Sequence, residues 1–372
     1  MDGKVLQLCL SDGNGGMELY VDRVMEDLQE KGWKIFGICL ANTKVEAYMR
    51  RNGATFRAFK NHRQALFNIF ALRRWLLEEN VTVIHCHKSS DLRLTTLLKL
   101  LLPKLKVIYT DHMGGLRPKK SLYHRIAYGY VDLLLSISQV THQRNINNLP
   151  LARERIVCLL HGVDITKYQP CHDASAIRCK RESLGLSADA VLIGLPGRVT
   201  PGKGQAVWVK SLLALDPALN FHAISIGGTG DATGGDESFY AQLQKDIAGT
   251  ELEGKITFLG HRSDLTEILP VLDMVCIPSK NEAFGLTIIE SMACGLPIIG
   301  SNTGSLPELV DANSGILVGP TDVSAWRNAM DVMIRNEVQR KSMGNAARQR
   351  VEQHFSNKQH MKRLSEYYDA LI

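Results

Sequence analysis

Hydrophobic and polar positions follow two alternating periodicities along the 372-residue chain. Short apolar runs of strand length are each followed by a segment in which apolar residues recur every three or four positions, the spacing of a helix. The expected strands are 5–10, 34–40, 81–86, 106–110, 131–137, 156–160, 190–197, 221–226, 256–259, 274–277 and 297–300. Strands that alternate with helices in this way predict βαβ units and parallel sheets.

A polar connector at about 161–187 interrupts this alternation and divides the chain into two halves. The length also exceeds what one hydrophobic core usually serves. The sequence therefore predicts an α/β fold of two Rossmann-like, doubly wound domains. Because open parallel sheets bind ligands at the carboxyl ends of their strands, we expect the two domains to face each other across a cleft.

Composition is that of a globular protein, with 45% hydrophobic and 22% charged residues. No apolar stretch is long enough to cross a membrane, and the first residues lack the pattern of a signal peptide. The eight cysteines are scattered without a C-x-x-C pair, which favours a reduced, cytoplasmic protein and no metal centre.

Charge is distributed unevenly between the two halves. Residues 1–170 contain 25 Lys and Arg against 15 Asp and Glu, whereas the remainder contains 19 against 23. A basic first half predicts an anionic partner for that half. We do not expect that partner to be a nucleic acid.

The turn after the strand at 190–197 contains Arg198 and Lys203 and opens a helix. A helix start offers unpaired N–H groups and the positive end of the helix dipole, which together favour an anion. Arginine can bind a phosphate through two parallel hydrogen bonds, and lysine adds a point charge. This turn is a candidate diphosphate site, although an ordinary turn with solvated cations would have the same pattern.

A second turn, after the strand at 274–277, places two acids around a helix start: Glu282 in the loop and Glu290 inside the helix. Sugar and ribose hydroxyls can donate hydrogen bonds to such carboxylates. The backbone N–H groups of Phe284, Gly285 and Leu286 could meet phosphate or sugar oxygens. The alternative is a pair of structural carboxylates.

The first turn of the chain contains Gly15 and Gly16, which allow a phosphate or sugar to approach the backbone. A dinucleotide site would need a third glycine where the chain has Glu18, and an acid near Asn42. A dehydrogenase is therefore disfavoured.

His112 follows the strand at 106–110 and precedes two glycines, the position of a strand-edge ligand. His85 and His87 stand in a similar way after residues 81–84. A structural histidine remains the alternative for all three.

These motifs together resemble glycosyltransferase family 4. The resemblance rests on Arg198 with Lys203, on the E-x7-E spacing of Glu282 and Glu290, and on the segment 293–297. The glycines of the first turn and the segment 161–164 are similar too, although the family usually has Asn where this chain has His161. The resemblance covers nearly the whole chain and is strongest in residues 190–320.

The resemblance implies the GT-B fold and a donor that is a nucleotide diphosphate sugar, transferred with retention of configuration. It implies an acceptor-side domain at 1–170, completed by a crossover helix at about 356–372, and a donor domain at 171–355. Arg198 and Lys203 would neutralise the diphosphate, Glu290 would hold the ribose, and Glu282 and His112 would face the donor sugar. The expected catalytic residues are His112, Glu282, Arg198 and Lys203, and the expected donor-binding residues are Gly15, Gly16, Arg198, Lys203, Phe284, Gly285, Leu286 and Glu290.

The sequence thus predicts a metal-independent hexosyltransferase. Its donor would be a UDP-hexose or UDP-N-acetylhexosamine, where uridine follows from the resemblance alone. Its acceptor would be a glycan or glycolipid of bacterial lipopolysaccharide or surface polysaccharide assembly. Two alternatives remain: a sugar-nucleotide epimerase, which needs no acceptor, and a non-catalytic nucleotide-sugar-binding partner, which would not need Glu282 or His112.

Two basic clusters lie in the first half. One spans 99–125 and contains seven cations and one acid, Asp111. Because cations near an anionic membrane contribute roughly 1 kcal/mol each, this cluster predicts a peripheral enzyme at the inner face of a membrane. The other spans 57–76, where interleaved apolar residues favour a helix packed on the sheet.

Overall fold

The computed structural model describes residues 3–13, 15–230 and 233–371. Contacts divide the chain into two compact units. The first unit extends to His161 and also includes the chain from Gln359 onward, and the second unit spans Gly162–Lys358. Ile372, the last residue of the expected crossover helix, lies outside the described residues.

The first unit contains one parallel sheet with helices between its strands. Its strands are β1 (Lys4–Cys9), β2 (Lys34–Leu40), β3 (Thr55–Phe59), β4 (Val83–Cys86), β5 (Lys106–Asp111), β6 (Leu133–Ser136) and β7 (Ile156–Cys158). Its first seven helices are α1 (Gly16–Glu30), α2 (Lys44–Arg51), α3 (His62–Phe67), α4 (Ile69–Glu78), α5 (Leu92–Leu101), α6 (Leu122–Gly129) and α7 (Gln139–Asn148).

The second unit repeats this plan. Its strands are β8 (Val191–Pro196), β9 (Phe221–Ile226), β10 (Ile256–Phe258), β11 (Met274–Ile277), β12 (Ile298–Ser301) and β13 (Gly315–Val318). Its helices are α8 (Ala174–Ser183), α9 (Gln205–Leu213), α10 (Glu237–Ile247), α11 (Leu265–Ile268), α12 (Leu286–Ala293), α13 (Leu306–Leu309), α14 (Val323–Arg335) and α15 (Glu337–His354). The chain ends in α16 (Asn357–Leu371).

Both sheets have the strand order of doubly wound folds. The first runs β3-β2-β1-β4-β5-β6-β7 and the second β10-β9-β8-β11-β12-β13, with every pairing parallel. The strand order reverses between β1 and β4 in the first sheet, and between β8 and β11 in the second. Ligands of open α/β sheets bind at such reversals, outside the carboxyl ends of the strands.

The first sheet is buried on both faces, which explains its uninterrupted apolar runs. Leu6 and Leu8 of β1 join one hydrophobic core, whereas Val5 and Cys9 join the core on the opposite face. Successive side chains of a strand point to opposite faces, so each strand supplies both cores.

Helix α16 completes the second of these cores. Its Leu364 and Tyr368 are fully buried there. The Tyr368 hydroxyl lies 2.6 Å from Nδ1 of His85 in β4, so a polar contact accompanies the apolar packing. From Gln359 onward, the last helix is thus an integral part of the first unit.

The predicted α/β class with two doubly wound parallel sheets is confirmed. Two strands were missed: β3, a short edge strand in which Arg57 interrupts the apolar residues, and β13, which follows directly on a turn. The prediction of a polar connector without a helix at 161–187 was wrong in part, because α8 lies within that segment. Its N-cap, Asp173, accepts hydrogen bonds from the Ser175 and Ala176 N–H groups. Within the described residues, no helix combines the length and the apolar character needed to cross a membrane.

Candidate functional site

The turn after β8 carries Arg198 and Lys203 at the reversal point of the second sheet. Gly204 connects this turn to α9 with a φ of +81°, and a Cβ there would lie 2.1 Å from the Pro278 carbonyl oxygen. Glycine is therefore required, because it alone allows the β8 turn to touch the chain that leaves β11. Gln205 fixes the turn by donating a hydrogen bond to the Arg198 carbonyl at 2.9 Å.

The turn after β11 leads into α12 through Gly285, whose φ is +94°. Ser305 holds this turn from the side. Its N–H donates to the Glu282 carbonyl at 3.0 Å, and its hydroxyl donates to the Phe284 carbonyl at 2.7 Å. Phe284 is only 2% exposed, so the turn is anchored in the core. The N-terminus of α12 is thereby fixed at the sheet edge.

An ion pair joins the two turns. The Lys203 ammonium lies 2.7 Å from Oε2 of Glu282, and the side chains are 31% and 17% exposed. Arg198 is exposed, and a Cβ on Gly234 would come within 2.9 Å of its guanidinium. The second unit therefore brings Arg198, Lys203 and Glu282 to one edge of its sheet, as the motifs predict.

Glu290 lies one turn into α12 and is 3% exposed. Phe284, Gly285 and Leu286 form the helix start before it. Glu282 and Glu290 thus flank that helix start. The predicted roles of these residues in ribose and sugar binding remain predictions.

In the first unit, Gly15 is the N-cap of α1 and Gly16 is its first residue. The Gly15 N–H donates to Oε2 of Glu18 at 2.8 Å, and the Ser11 hydroxyl donates to Oε1 of Glu18 at 2.6 Å. Glu18 thus occupies the place where a dinucleotide motif has its third glycine. Its carboxylate already uses the Gly15 N–H, which gives a physical reason against a pyrophosphate at that group.

His112 belongs to a buried cluster of aromatic rings at the ends of β4 and β5. Its ring stacks on His161 with centroids 5.5 Å apart, and its Nε2 lies 3.5 Å from Nδ1 of His87. Tyr20 of α1 packs against both His112 and His161. The cluster, which we call the histidine cluster, consists of Tyr20, His85, His87, His112, His161 and His360.

Hydrogen bonds fix some of these rings as neutral tautomers. Nδ1 of His360 lies 2.7 Å from the Leu160 carbonyl, which can only accept, so this nitrogen carries the proton. Nε2 of His360 then accepts from the Tyr20 hydroxyl at 3.1 Å. Burial lowers the pKa of His112 to about 3 and that of His360 to about 4. Both rings are therefore uncharged near neutral pH.

The sequence did not identify Tyr20, His161 and His360 as members of this cluster. Tyr20 and His360 lie inside helices, where the spacing of apolar residues predicts burial but does not reveal a polar contact. His161 could have been singled out from the sequence, since it replaces the asparagine that is usual in the family. Among the described residues, no group of three or more His, Cys, Asp or Glu side chains is arranged to hold a metal ion.

The two parallel sheets define an α/β protein with two doubly wound units, and comparison with known proteins gives its family. The profile described as Glycosyltransferase Family 4 matches residues 14–167, and that described as Glycosyl transferases group 1 matches residues 177–350. Together the two matches span nearly the whole chain. The chain belongs to glycosyltransferase family 4.

Curated relatives carry glycosyltransferase names. The lipopolysaccharide core biosynthesis mannosyltransferase LpsB of Rhizobium meliloti is 27% identical over 217 residues, which cover 58% of this chain and 60% of that protein. The D-inositol 3-phosphate glycosyltransferase of Corynebacterium glutamicum is 30% identical over 222 residues, which cover 58% of this chain and 52% of that protein. The chain thus spans between half and three fifths of these relatives.

Solved structures share the fold over the full length. A glycosyltransferase of Rickettsia africae superimposes with a TM-score of 0.90 at 22% identity, covering 100% of this chain and 98% of that one. The HepE protein of Anabaena, solved in complex with UDP, superimposes with a TM-score of 0.86 at 21% identity, covering 99% and 100%. At these identities the likeness shows the GT-B fold, as the sequence predicted.

Proposed function

We propose that the protein is a retaining glycosyltransferase that takes a hexose or N-acetylhexosamine from a UDP-linked donor. The observation that carries this proposal is the ion pair of Lys203 and Glu282 beside Arg198, at the reversal point of the second sheet. It combines cations for a diphosphate with a carboxylate for a sugar hydroxyl in one place.

The proposed transfer reaction requires groups that stabilise negative charge, and this edge of the second sheet has such groups. Breaking a glycosyl–phosphate bond leaves negative charge on the diphosphate. Fixed cations and helix N–H groups stabilise that charge as it develops, and such preorganised groups are among the largest contributions to catalysis. Arg198, Lys203 and the start of α12 take this role. Glu282 holds the donor sugar and Glu290 holds the ribose.

The comparisons support the choice of donor and acceptor. HepE has been solved with UDP and with UDP-glucose, which favours uridine as the base. One relative is named for lipopolysaccharide core biosynthesis and another for D-inositol 3-phosphate, and an anionic acceptor would suit the basic first half of this chain. We propose a glycan or lipid-linked glycan as the acceptor, in surface polysaccharide or lipopolysaccharide assembly.

Calorimetric titration with UDP, GDP and ADP tests the donor. We expect UDP to bind more tightly than the other two. A screen of UDP-sugars with mass spectrometry of the product then names the sugar, and NMR of the new linkage reports retention or inversion. Absence of binding by all three nucleotides would contradict the proposal.

We propose further that no metal ion takes part, because Arg198 and Lys203 already neutralise the leaving diphosphate. Turnover should persist in excess EDTA at the rate seen without chelator. Activity that vanishes in chelator and returns with magnesium or manganese would show that the cations are insufficient.

A further inference from the structure

A pocket of about 320 Å³ opens in the first unit. Leu10, which follows β1, and Lys88, which follows β4, contribute to its wall. These two strands are neighbours at the point where the strand order reverses. The pocket therefore lies where open parallel sheets bind their ligands. Its full lining is Leu10, His62, Leu66, Lys88, Ser90, Asp91, Arg93 and Leu94.

The pocket's single acid is already satisfied by the protein. Asp91 has a fully buried side chain, and its Oδ2 accepts from the Leu10 N–H at 2.7 Å. Its Oδ1 accepts from the Ser90 hydroxyl at 3.0 Å and lies 3.3 Å from Nε2 of His62. The carboxylate thus positions the Leu10 backbone, and both of its oxygens already have neighbours in the protein.

Two basic side chains of the pocket, the partly exposed Lys88 and the exposed Arg93, make only weak contacts within the protein. Lys88 reaches only the Leu10 carbonyl, at 3.4 Å, and Arg93 rests over the Tyr123 ring at 5.6 Å. Within 3–13, 15–230 and 233–371, neither cation forms an ion pair with a carboxylate. Lys88, Arg93 and His62 come from three different segments, so one small ligand could contact all three.

We propose that this pocket binds a phosphate group carried by the acceptor. Phosphate matches the pocket because it has up to two negative charges and several acceptor oxygens, which the donors of Lys88, Arg93 and His62 would meet. The volume is at the lower end of ligand pockets, which suits one sugar phosphate unit. Leu66 and Leu94 supply an apolar wall for the carbon skeleton. This inference rests on the proposed function, since it assigns the ligand to the acceptor.

Binding of small phosphates to the intact protein, without any nucleotide, tests the pocket. The probes are inorganic phosphate, glucose 6-phosphate and farnesyl phosphate, with glucose, glucuronate and farnesol as their phosphate-free counterparts. We expect calorimetry to detect the phosphates and not the counterparts. Tighter binding of glucose 6-phosphate would indicate a phosphorylated sugar, and tighter binding of farnesyl phosphate a lipid phosphate. Glucuronate binding as tightly as glucose 6-phosphate would overturn the assignment of phosphate.

Lys88→Gln and Arg93→Gln should each weaken phosphate binding by roughly tenfold or more, the usual loss for a hydrogen bond to a charged group. Arg63→Gln is the matched control, because Arg63 is exposed beside His62 but does not line the pocket. Equal losses in all three variants would indicate unspecific charge attraction and overturn the proposal.

UDP titration of the same variants separates this inference from the proposed function. UDP affinity should be unchanged in Lys88→Gln and Arg93→Gln, since the cations assigned to the donor lie in the second unit. If the protein binds phosphate but not UDP, the phosphate pocket would be supported and the proposed UDP-linked donor would be contradicted. If the protein binds UDP but none of the phosphate probes, the proposed donor would be supported and the phosphate pocket would be contradicted.

Discussion

If the proposed function holds, the contact between Lys203 and Glu282 would serve two ligand groups. Their ion pair is partly exposed, so its contribution to stability is small, roughly 0–1 kcal/mol. A surface pair of that strength is easily opened by a ligand. A diphosphate can therefore draw the ammonium toward itself while the carboxylate turns to a sugar hydroxyl. Under the proposed function, the pair would hold each side chain ready for its ligand group, and it would add little to the stability of the fold.

Removal of either cation at this site should impair catalysis without unfolding the protein. Arg198→Ala and Lys203→Ala should each lower turnover about 10²–10³-fold, because each removes charge aimed at the leaving diphosphate. Steady-state kinetics with the identified donor measures the loss, and thermal unfolding checks the fold. Lys210→Ala, an exposed cation of α9, is the control. Wild-type rates in both site variants would mean that the phosphates bind elsewhere.

The two acids should differ in what they affect. Glu290→Ala should weaken UDP affinity, because its carboxylate is assigned to the ribose, which does not react. Glu282→Ala should leave UDP affinity intact and slow transfer, because its carboxylate is assigned to the sugar that reacts. Nucleotide affinity by calorimetry and kcat by product formation separate the two effects. The opposite pattern would show that the roles are exchanged.

At the scale of single residues, the sequence identified charged residues that the structure brings to one sheet edge, but it did not identify their contacts. The spacing of Arg198, Lys203 and Glu282 is visible because each follows a recognisable strand. Their convergence depends on Gly204 and Ser305, whose importance comes from a close approach of backbones distant in sequence. No local sequence pattern predicts a contact between backbone segments that are distant in sequence.

The histidine cluster connects several elements of the first unit to α16. His360 of α16 bonds to the Leu160 carbonyl and to Tyr20 of α1, and His85 of β4 bonds to Tyr368 of α16. Burial lowers the pKa of His85 and His360 below the ordinary value for histidine. The neutral rings therefore help to hold the last helix on the sheet.

Acid should weaken the first unit through this cluster. A histidine whose pKa is lowered on folding binds protons more readily in the unfolded chain, so the free energy of unfolding falls as pH decreases below about 6.5. For His360 the fall continues until pH approaches its folded pKa of about 4. Chemical denaturation at several pH values between 4 and 8 measures this slope.

Variants assign the slope to the cluster. His360→Gln keeps a donor and an acceptor but cannot titrate, so the loss of stability in acid should shrink. His172→Gln, at an exposed position, should leave the slope as in the wild type. An identical slope in His360→Gln would show that other groups cause the acid sensitivity.

At the scale of elements, long and periodic segments were the predictable part. The strands at 34–40, 221–226 and 274–277 were predicted with the bounds that the structure has. The basic segment 57–76 was predicted to pack on the sheet, and Trp75 and Leu76 do so. Phe67 and Phe70 remain 86% and 73% exposed, because periodicity identifies an apolar stripe but not how much of it a short helix can bury.

At the scale of the whole molecule, one surface of the first unit combines exposed apolar side chains with cations. Seven large apolar side chains of α5, α6 and the preceding loop are exposed: Leu97, Leu100, Met113, Leu116, Leu122, Tyr123 and Ile126. Exposed cations lie among them, whereas Asp111 is buried and accepts hydrogen bonds from the Met113 and Gly114 N–H groups. We call this the α5–α6 surface. Apolar side chains interspersed with cations match the interface of an anionic membrane.

The α5–α6 surface leads to a testable prediction that the protein binds anionic membranes. The protein should co-sediment with vesicles of anionic lipid at low salt and be released as salt is raised, because exposed charges are screened within about 10 Å at 0.1 M salt. It should bind vesicles of neutral lipid only weakly. Each cation that approaches the lipid contributes roughly 1 kcal/mol, so reversal of Lys119, Lys120 and Arg125 to Glu should abolish binding.

Two controls separate a docking surface from general basicity. Reversal of Lys210, Lys245 and Lys358, exposed cations of the second unit, changes the net charge by the same amount and should leave vesicle binding intact. Leu122→Ser with Ile126→Ser removes exposed apolar area while keeping every charge, and should weaken binding at high salt more than at low salt, since the apolar contribution is not screened. Equal binding to neutral and anionic vesicles, or equal effects of the two charge reversals, would reduce the α5–α6 surface to a feature of solubility.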